Sequence, residues 1–163
     1  LKANAPARII NVGSFAARSQ TINFDDLQYT QQYDRKKAYQ QSKRANLLFT
    51  TELARRVAES DITVNCFNPG NVITHFGGWM RNLKIEARRW FSPAKYRAMN
   101  VVPVEQSGKD LAYLALESSL NNVSGQCFSG TSVDESLTAL DDVVSAKRLW
   151  DISEDLLQYP YTN

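Results

Sequence analysis

Two short stretches rich in β-branched residues enclose one long helical pattern, and this order constrains the fold more than any other feature. The stretches cover residues 7–14 and 61–68, and the helical pattern runs over residues 35–58. Nearly continuous apolar strands are typical of parallel sheets buried on both faces. A crossover helix of this length joins two strands as parallel neighbours. We therefore expect an α/β fold built on an open parallel sheet.

The rest of the chain agrees with this class. Residues 15–34 are polar, without a clear period, and are predicted to be a loop. Pro103 fits the first turn of a helix that reaches about residue 119. A third short strand is predicted at residues 125–129, and a final helix is predicted at residues 143–157. The side chains of the 103–119 helix that we expect to face inward are Leu111, Leu114 and Ala115. With 163 residues, 43% of them hydrophobic, the chain can form one core.

Charge and cysteine content narrow the class of protein. The 19 Lys and Arg residues against 17 Asp and Glu give a net charge of +2, which does not indicate a nucleic-acid-binding protein. Cys66 and Cys127 lie in separate apolar stretches without metal-ligand spacing, so we expect buried, reduced thiols rather than a disulfide. No apolar run approaches the roughly 18 residues of a membrane span. The chain has no initiating methionine and opens almost directly on a strand, which indicates that sequence precedes it.

Tyr39 and Lys43 lie four positions apart on the predicted helix, so a phenol and an ammonium group share one helix face. This spacing alone also occurs on ordinary surface helices, and its meaning depends on its surroundings. Ligands of open parallel sheets bind beyond the carboxyl ends of the strands. Ser14 and residues 69–74 follow the two strands at these ends, and Tyr39 is near the start of the intervening helix. Three pieces of sequence therefore converge on one place.

Residues 75–100 differ from the rest in composition, because apolar and basic side chains alternate and Glu86 is the single acid. The apolar members are Phe76, Trp79, Met80, Leu83, Ile85, Trp90 and Phe91. We predict either an amphipathic helical lid over a substrate or a surface that touches a membrane or another protein. A helical hairpin packed on the domain, with a solvated basic face, is the alternative.

The motifs at these positions resemble the short-chain dehydrogenase/reductase family. Residues 11–14 (NVGS), 38–46 (AYQQSKRAN) and 68–74 (NPGNVIT) are similar, in order and spacing, to its catalytic strand, Tyr-x-x-x-Lys helix and Pro-Gly cofactor loop. Further stretches resemble the retinol-dehydrogenase-like branch, namely residues 45–50 (ANLLFT), 123–125 (VSG) and 146–153 (AKRLWDIS). The resemblance implies a three-layer Rossmann-type parallel sheet.

The resemblance also implies a set of catalytic residues. Tyr39 would be the acid/base of hydride transfer, and Lys43 would stabilise its phenolate by charge and bind the nicotinamide ribose. Ser14 would hold the substrate oxygen by a hydrogen bond. The nicotinamide end of the cofactor would meet Tyr39, Lys43, Pro69, Gly70, Val72 and Thr74. The cofactor would be NADP or NAD, with NADP slightly favoured by the resemblance.

The chain departs from the family in two ways. The glycine-rich dinucleotide turn, the residue that reads the adenosine ribose and an earlier catalytic asparagine have no counterpart. Residues 1–163 would thus be a single incomplete domain, the carboxyl-terminal half with about three strands and a substrate-lid insertion at residues 75–100, and the amino-terminal half would be a partner in the same or another chain. The second departure is Gly13, where relatives often have serine.

The two apolar strips of the 35–58 helix imply two partners, the sheet and a second subunit, and hence a homodimer.

We expect an oxidoreductase that transfers hydride between a nicotinamide cofactor and a hydrophobic alcohol or carbonyl, such as a retinoid, steroid or lipid, in the cytoplasm or at the cytosolic face of a membrane. The competing hypothesis is a non-catalytic truncated or split module that binds a partner through an exposed sheet edge. No metal is predicted, since the acidic pairs at residues 25–26 and 141–142 resemble loop or capping carboxylates. His75, the one histidine, is expected to be an ordinary loop or helix-start residue, and Ser14 lacks the sequence of a hydrolase nucleophile.

Overall fold

The computed structural model describes residues 3, 5–72, 79–99 and 101–157. Its main sheet has four strands in the order β1-β2-β5-β6, and β3 pairs with β4 separately. The strands are β1 (Ala7–Val12), β2 (Ile62–Asn68), β3 (Asn71–Val72), β4 (Val101–Val102), β5 (Cys127–Ser129) and β6 (Ser132–Val133). Strands β1, β2 and β5 are parallel, as predicted, whereas β6 runs antiparallel to β5. The strand β6 and the β3–β4 pair were not expected.

β2 is the central parallel strand, and all seven of its residues are buried. Such burial is typical of a strand covered on both faces. β1 pairs with it in continuous register from Ala7 opposite Ile62 to Val12 opposite Phe67. β1 is the outer strand of the sheet among the residues that the structure describes, and its side chains are half-buried or exposed. The sheet edge that we predicted to be open is therefore the β1 edge.

The helices agree closely with the sequence pattern. They are α1 (Arg35–Arg56), α2 (Trp79–Phe91), α3 (Pro93–Ala98), α4 (Val104–Leu116), α5 (Glu135–Thr138) and α6 (Val143–Leu157). Asp34 starts α1 because its carboxylate accepts a hydrogen bond of 2.8 Å from the Lys37 amide. Short 3-10 helices lie at Phe15–Ser19 and Ser118–Leu120, so the first part of the predicted 15–34 loop is helical.

α1 is packed on two sides, as its two apolar strips predicted. Leu47 and Leu48 are buried in a cluster that includes Cys66 and Cys127 of the sheet and Ala146 and Leu149 of α6. On another side the Phe49 ring stacks on Trp150 of α6, with 5.4 Å between the ring centroids and 6° between their planes. α6 of the same chain thus covers part of the second strip. Phe49 remains partly exposed, and the homodimer through this helix stays a prediction.

The buried face of α4 is not the one that we predicted. Leu114 is buried and packs in one cluster with Phe67 and Phe128, but Leu111 and Ala115 are exposed. The buried residues of α4 are Ser107, Asp110 and Leu114. Their spacing of three and four places them on one stripe. The prediction was wrong because the stripe facing the sheet includes two polar residues, which an apolar pattern cannot reveal.

No helix in the described part of the chain combines the length and apolar character that a membrane span requires.

Candidate functional site

Ser14 lies at the carboxyl end of β1, where the strand meets a 3-10 helix. The Gly13 amide donates a 2.8 Å hydrogen bond to the Phe67 carbonyl and so continues the pairing with β2. The backbone of Ser14 is extended, and its Oγ accepts a 3.2 Å hydrogen bond from the Ala16 amide. Because Oγ acts as an acceptor here, its own proton can still be donated to another oxygen.

Lys43 is fixed beside the same strand end. Its Nζ donates a 3.1 Å hydrogen bond to the Val12 carbonyl, and Asn46 Nδ2 donates to that carbonyl at 3.2 Å. The ring of Tyr39, one helical turn earlier, has its centroid 5.9 Å from Lys43 Nζ. The ring is partly exposed to solvent. The structure thus brings Tyr39 and Lys43 together at the edge where β1 ends, two residues before Ser14.

The Cys66 thiol lies directly under this strand end. A β-carbon added to Gly13 would come within 3.0 Å of Cys66 Sγ, which is closer than unbonded atoms approach. Gly13 is therefore packed against the thiol, and its lack of a side chain is what makes room for it. Sequence reasoning recognised Gly13 as a departure from the family but missed its contact.

Cys66 and Cys127 are both buried and free, as predicted. They face each other in register across β2 and β5. Their shared hydrogen bond lowers the pKa of Cys66, which the Lys43 charge and the Gly13 amide lower further, against the effect of burial. The same hydrogen bond and burial raise the pKa of Cys127. Any negative charge in the pair is therefore favoured on Cys66, the thiol nearer Lys43.

The Pro-Gly turn follows β2 at the same sheet edge. Gly70 has a φ of 75°, in the left-handed region that favours glycine. Its amide donates to Asn68 Oδ1 at 3.3 Å, which closes the turn around Pro69. Val72 lies in β3 and pairs with Val102 in β4. Thr74, the last predicted cofactor-binding residue, lies outside the described residues, as does His75.

A polar chain that the sequence did not reveal runs from this turn to the segment after Ser14. Asn68 Nδ2 donates to Ser129 Oγ at 3.0 Å, and Ser129 Oγ donates to Asp134 Oδ2 at 2.8 Å. Arg18, in the 3-10 helix after Ser14, forms an ion pair of 3.3 Å with Asp134. Asp134 also caps α5 by accepting from the Leu137 amide at 3.2 Å. The Asp-Glu sequence at residues 134–135 is a recognisable helix start, but nothing in it points to Arg18.

The environment of Asp134 favours its charged form. Burial would raise the pKa of this carboxyl group. The hydroxyls of Ser136 and Ser129, the Leu137 amide and the Arg18 charge together lower the pKa below its ordinary value. Ionised Asp134 therefore connects Ser129, which contacts the Pro-Gly turn through Asn68, to Arg18 in the segment after Ser14.

The other predicted carboxylates occupy loop and cap positions. Asp26 accepts hydrogen bonds from the Thr30 and Gln31 amides, and Asp142 accepts from Ser145 at the start of α6. Asp141 accepts from Thr51 and pairs with Arg55. Within the described ranges no three His, Cys, Asp or Glu side chains are grouped as metal ligands would be.

The chain is similar to curated proteins that are named retinol dehydrogenases. No family model matches the chain. The chain is 38% identical to retinol dehydrogenase 14 of Mus musculus over 154 residues, which are 94% of this chain and 45% of that protein. It is 39% identical to retinol dehydrogenase 13 of Homo sapiens over 153 residues, 92% of this chain and 45% of that protein. The chain thus spans a little under half the length of these curated relatives.

Solved structures share the fold. An uncharacterised protein from Mycobacterium paratuberculosis superposes with a TM-score of 0.67 at 23% identity, over 96% of this chain and 52% of that one. A short-chain dehydrogenase/reductase mutant from Serratia marcescens superposes with a TM-score of 0.51 at 24% identity, over 75% of this chain and 43% of that one. The parallel sheet with flanking helices is therefore the arrangement found in about half of each neighbour.

Proposed function

We propose that this chain, which is similar to retinol dehydrogenases over a little under half of their length, is part of a short-chain dehydrogenase/reductase and supplies the acid/base residues of an oxidoreductase. The observation that carries the proposal is the placement of Lys43 and Tyr39 at the carboxyl end of β1. Ligands of open parallel sheets bind at this edge.

Tyr39 is the proton acceptor or donor in this proposal. In the oxidation direction the alcohol proton passes to the Tyr39 phenolate, and in the reduction direction the phenol returns it to the carbonyl oxygen. The ammonium of Lys43 lies 5.9 Å from the centroid of the Tyr39 ring, where its charge would stabilise negative charge that develops on the reacting oxygens. Ser14 Oγ donates a hydrogen bond to the reacting oxygen and so holds it in a productive pose.

A nicotinamide cofactor fits the residues present. Gly70 lacks a side chain and follows the central strand, which allows a close approach to the backbone of the Pro-Gly turn. Lys43, Tyr39, Pro69, Gly70 and Val72 would hold the nicotinamide end, and Thr74 completes the predicted set. When bound, the nicotinamide ring accepts or donates the hydride. We propose NADP or NAD, with NADP favoured by the family resemblance.

The substrate that we propose is a hydrophobic alcohol or carbonyl. Support comes from the names of the relatives, which are retinol dehydrogenases, and from the aromatic and apolar residues that the sequence contains between positions 76 and 91. A turnover panel of apolar and small polar carbonyls, with either nicotinamide cofactor, tests this part. Preference for the small polar compounds would reject it without affecting the role of Tyr39.

The decisive experiment replaces Tyr39 with phenylalanine in the complete enzyme. General acid/base catalysis contributes about 10²–10⁴-fold, so turnover should fall by at least that order while cofactor binding stays measurable. Tyr33→Phe is the matched control, because Tyr33 is more exposed than Tyr39 and has no place in the mechanism. Turnover that survives Tyr39→Phe removes Tyr39 from the acid/base role.

A non-catalytic module is the second candidate, and the open edge of β1 is the observation that favours it. An unpaired strand edge can bind another chain. Intact mass of the purified protein, together with cofactor binding by this chain alone, separates the two candidates. A mass near 18.4 kDa without cofactor binding supports the module or a split enzyme.

A further inference from the structure

The two loops of the candidate site leave the sheet at neighbouring positions. Backbone pairing of β1 with β2 reaches the Gly13 amide, which donates to the Phe67 carbonyl at 2.8 Å. Two residues after Phe67 the chain reaches Pro69, which has no amide with which to continue the pairing. The spacing between the segment after Ser14 and the Pro-Gly turn is therefore set by contacts outside the sheet.

On one side, Asp134 is connected to the Pro-Gly turn. Its carboxylate accepts a 2.8 Å hydrogen bond from the Ser129 hydroxyl, and the Ser129 oxygen accepts a 3.0 Å hydrogen bond from Asn68 Nδ2. Asn68 is only 3% exposed, and its Oδ1 accepts from the Gly70 amide at 3.3 Å. Three consecutive hydrogen bonds thus join the carboxylate to the backbone of the turn.

On the other side, Asp134 is connected to the 3-10 helix that follows Ser14. The Arg18 guanidinium lies 3.3 Å from the Asp134 carboxylate and 4.7 Å from the centroid of the ring of Phe15, the residue directly after Ser14. The Ser136 hydroxyl accepts a hydrogen bond from Arg18 and donates one to Asp134. The position of this helix is therefore tied to the position of the carboxylate.

Asp134 is itself held firmly by the fold. Its backbone amide donates a 2.7 Å hydrogen bond to the Cys127 carbonyl of β5, and its carboxylate caps α5 at the Leu137 amide. The side chain is 13% exposed. Hydrogen bonds to an ionised group are about twice as strong as neutral ones. The carboxylate is thus a fixed point from which both loops are held.

We propose that Asp134 is a positioning residue of the candidate site. It keeps the Pro-Gly turn and the segment after Ser14 at the spacing in which the nicotinamide end of the cofactor and the substrate oxygen meet. This role rests on the proposed function, which places the cofactor at that turn and the reacting oxygen at Ser14. Asp134 acts through Ser129 and Arg18 rather than by contact with a reactant. Such geometry matters, because a displacement of about 1 Å can cost about 10²-fold in rate.

The test is steady-state kinetics of the complete enzyme, with separate KM values for cofactor and substrate. Asp134→Asn removes the charge but keeps a residue that caps helices well; it should raise both KM values and lower kcat/KM by about 10- to 100-fold. Ser129→Ala breaks the link to the turn and should raise the cofactor KM by about tenfold, the order of one hydrogen bond to a charged group. Arg18→Gln breaks the link to the segment after Ser14 and should raise the substrate KM by about as much. Loss of folded protein alone lowers the apparent kcat and leaves both KM values unchanged.

Asp142→Asn is the matched control. Asp142 also caps a helix, because its carboxylate accepts hydrogen bonds from the Val144 amide and the Ser145 hydroxyl at the start of α6. Its pKa is also lowered, with the Ser145 hydroxyl as the largest cause. Asp142→Asn should change neither KM by more than about twofold.

A second control uses the coupling within the network. Ser129→Ala and Arg18→Gln should have little further effect once Asp134 is replaced with asparagine, because both act through its carboxylate.

Two kinds of failure can be told apart. Unchanged kinetics of Asp134→Asn, a fall in its apparent kcat with both KM values unchanged, or an equal effect of Asp142→Asn would overturn the role of Asp134 alone. A full effect of Ser129→Ala and Arg18→Gln in the Asp134→Asn variant would do the same. In these cases turnover and its dependence on Tyr39 persist. A wild type without turnover, or turnover that survives Tyr39→Phe, overturns the proposed function and the role of Asp134 with it.

Discussion

Replacing Gly13 with serine tests how the end of β1 is packed. The new β-carbon would lie within 3.0 Å of Cys66 Sγ. Neither residue can shift easily. The Gly13 amide donates a 2.8 Å hydrogen bond to the Phe67 carbonyl, and Cys66 is buried in the central strand. Extra atoms in a well-packed core cost about 1–3 kcal/mol. We expect Gly13→Ser to lower the free energy of unfolding by about 2 kcal/mol and the melting temperature by about 4–8 °C.

Removing the sulfur should relieve this clash. Cys66→Ala alone should cost about 1 kcal/mol, a typical value for a buried substitution. If the two effects were independent, Gly13→Ser with Cys66→Ala would cost about 3 kcal/mol; we expect about 1 kcal/mol, which is a coupling of about 2 kcal/mol. Urea denaturation of the complete protein and its three variants measures this cycle.

Gly108 provides the matched control. A β-carbon at this position in α4 meets nothing within 4 Å, so Gly108→Ser should be neutral or slightly stabilising, because glycine is a poor helix former. The reasoning about Gly13 is refuted if Gly13→Ser costs no more than Gly108→Ser. It is equally refuted if its cost is the same with and without the Cys66 sulfur.

Two further substitutions test contacts that hold the site and the helices. Asp134→Asn should cost about 1–2 kcal/mol at neutral pH, the order of a charged hydrogen bond. Because the native pKa of Asp134 is lowered, its stabilising effect is complete above about pH 4 and disappears as the pH falls through the native pKa. Denaturation at several pH values should therefore show the free energies of unfolding of wild type and variant converging in acid. A difference that stays constant with pH would contradict this. Phe49→Ala should destabilise the protein by at least the roughly 0.5–1.5 kcal/mol of a stacked pair. This loss should be largely absent when Phe49→Ala is introduced into a Trp150→Ala variant. An equal loss with Trp150 and with Ala at this position would show that the stacking contributes nothing.

The sequence predicts the elements of this fold well and their faces less well. β2 and α1 can be predicted from local patterns, because a run of β-branched residues and a helical period are both visible in a short continuous stretch of sequence. The buried stripe of α4 could not be predicted in this way, because Ser107 and Asp110 are polar and their burial depends on packing against the rest of the chain. The short antiparallel strand β6 likewise depends on its pairing with β5, which two residues cannot signal.

The candidate site shows the same division. Topology predicts that Ser14, Tyr39 and the Pro-Gly turn meet at one edge, because carboxyl ends of parallel strands lie together. The contacts of Asp134 and Cys66 were missed because each joins residues far apart in the chain. Arg18 and Asp134 are separated by 116 positions, and no local pattern relates them.

The partner of Lys43 explains how its charge can serve a second group. Lys43 Nζ is held by the Val12 carbonyl, a neutral acceptor, and Asn46 donates to the same oxygen. In the part of the chain that the structure describes, no carboxylate lies within 4.0 Å of Lys43 Nζ. A carboxylate would cancel the positive charge, whereas a carbonyl fixes the position of the ammonium and leaves its full charge. The end of β1 therefore positions an uncancelled positive charge beside the Tyr39 ring, as the proposed acid/base role requires.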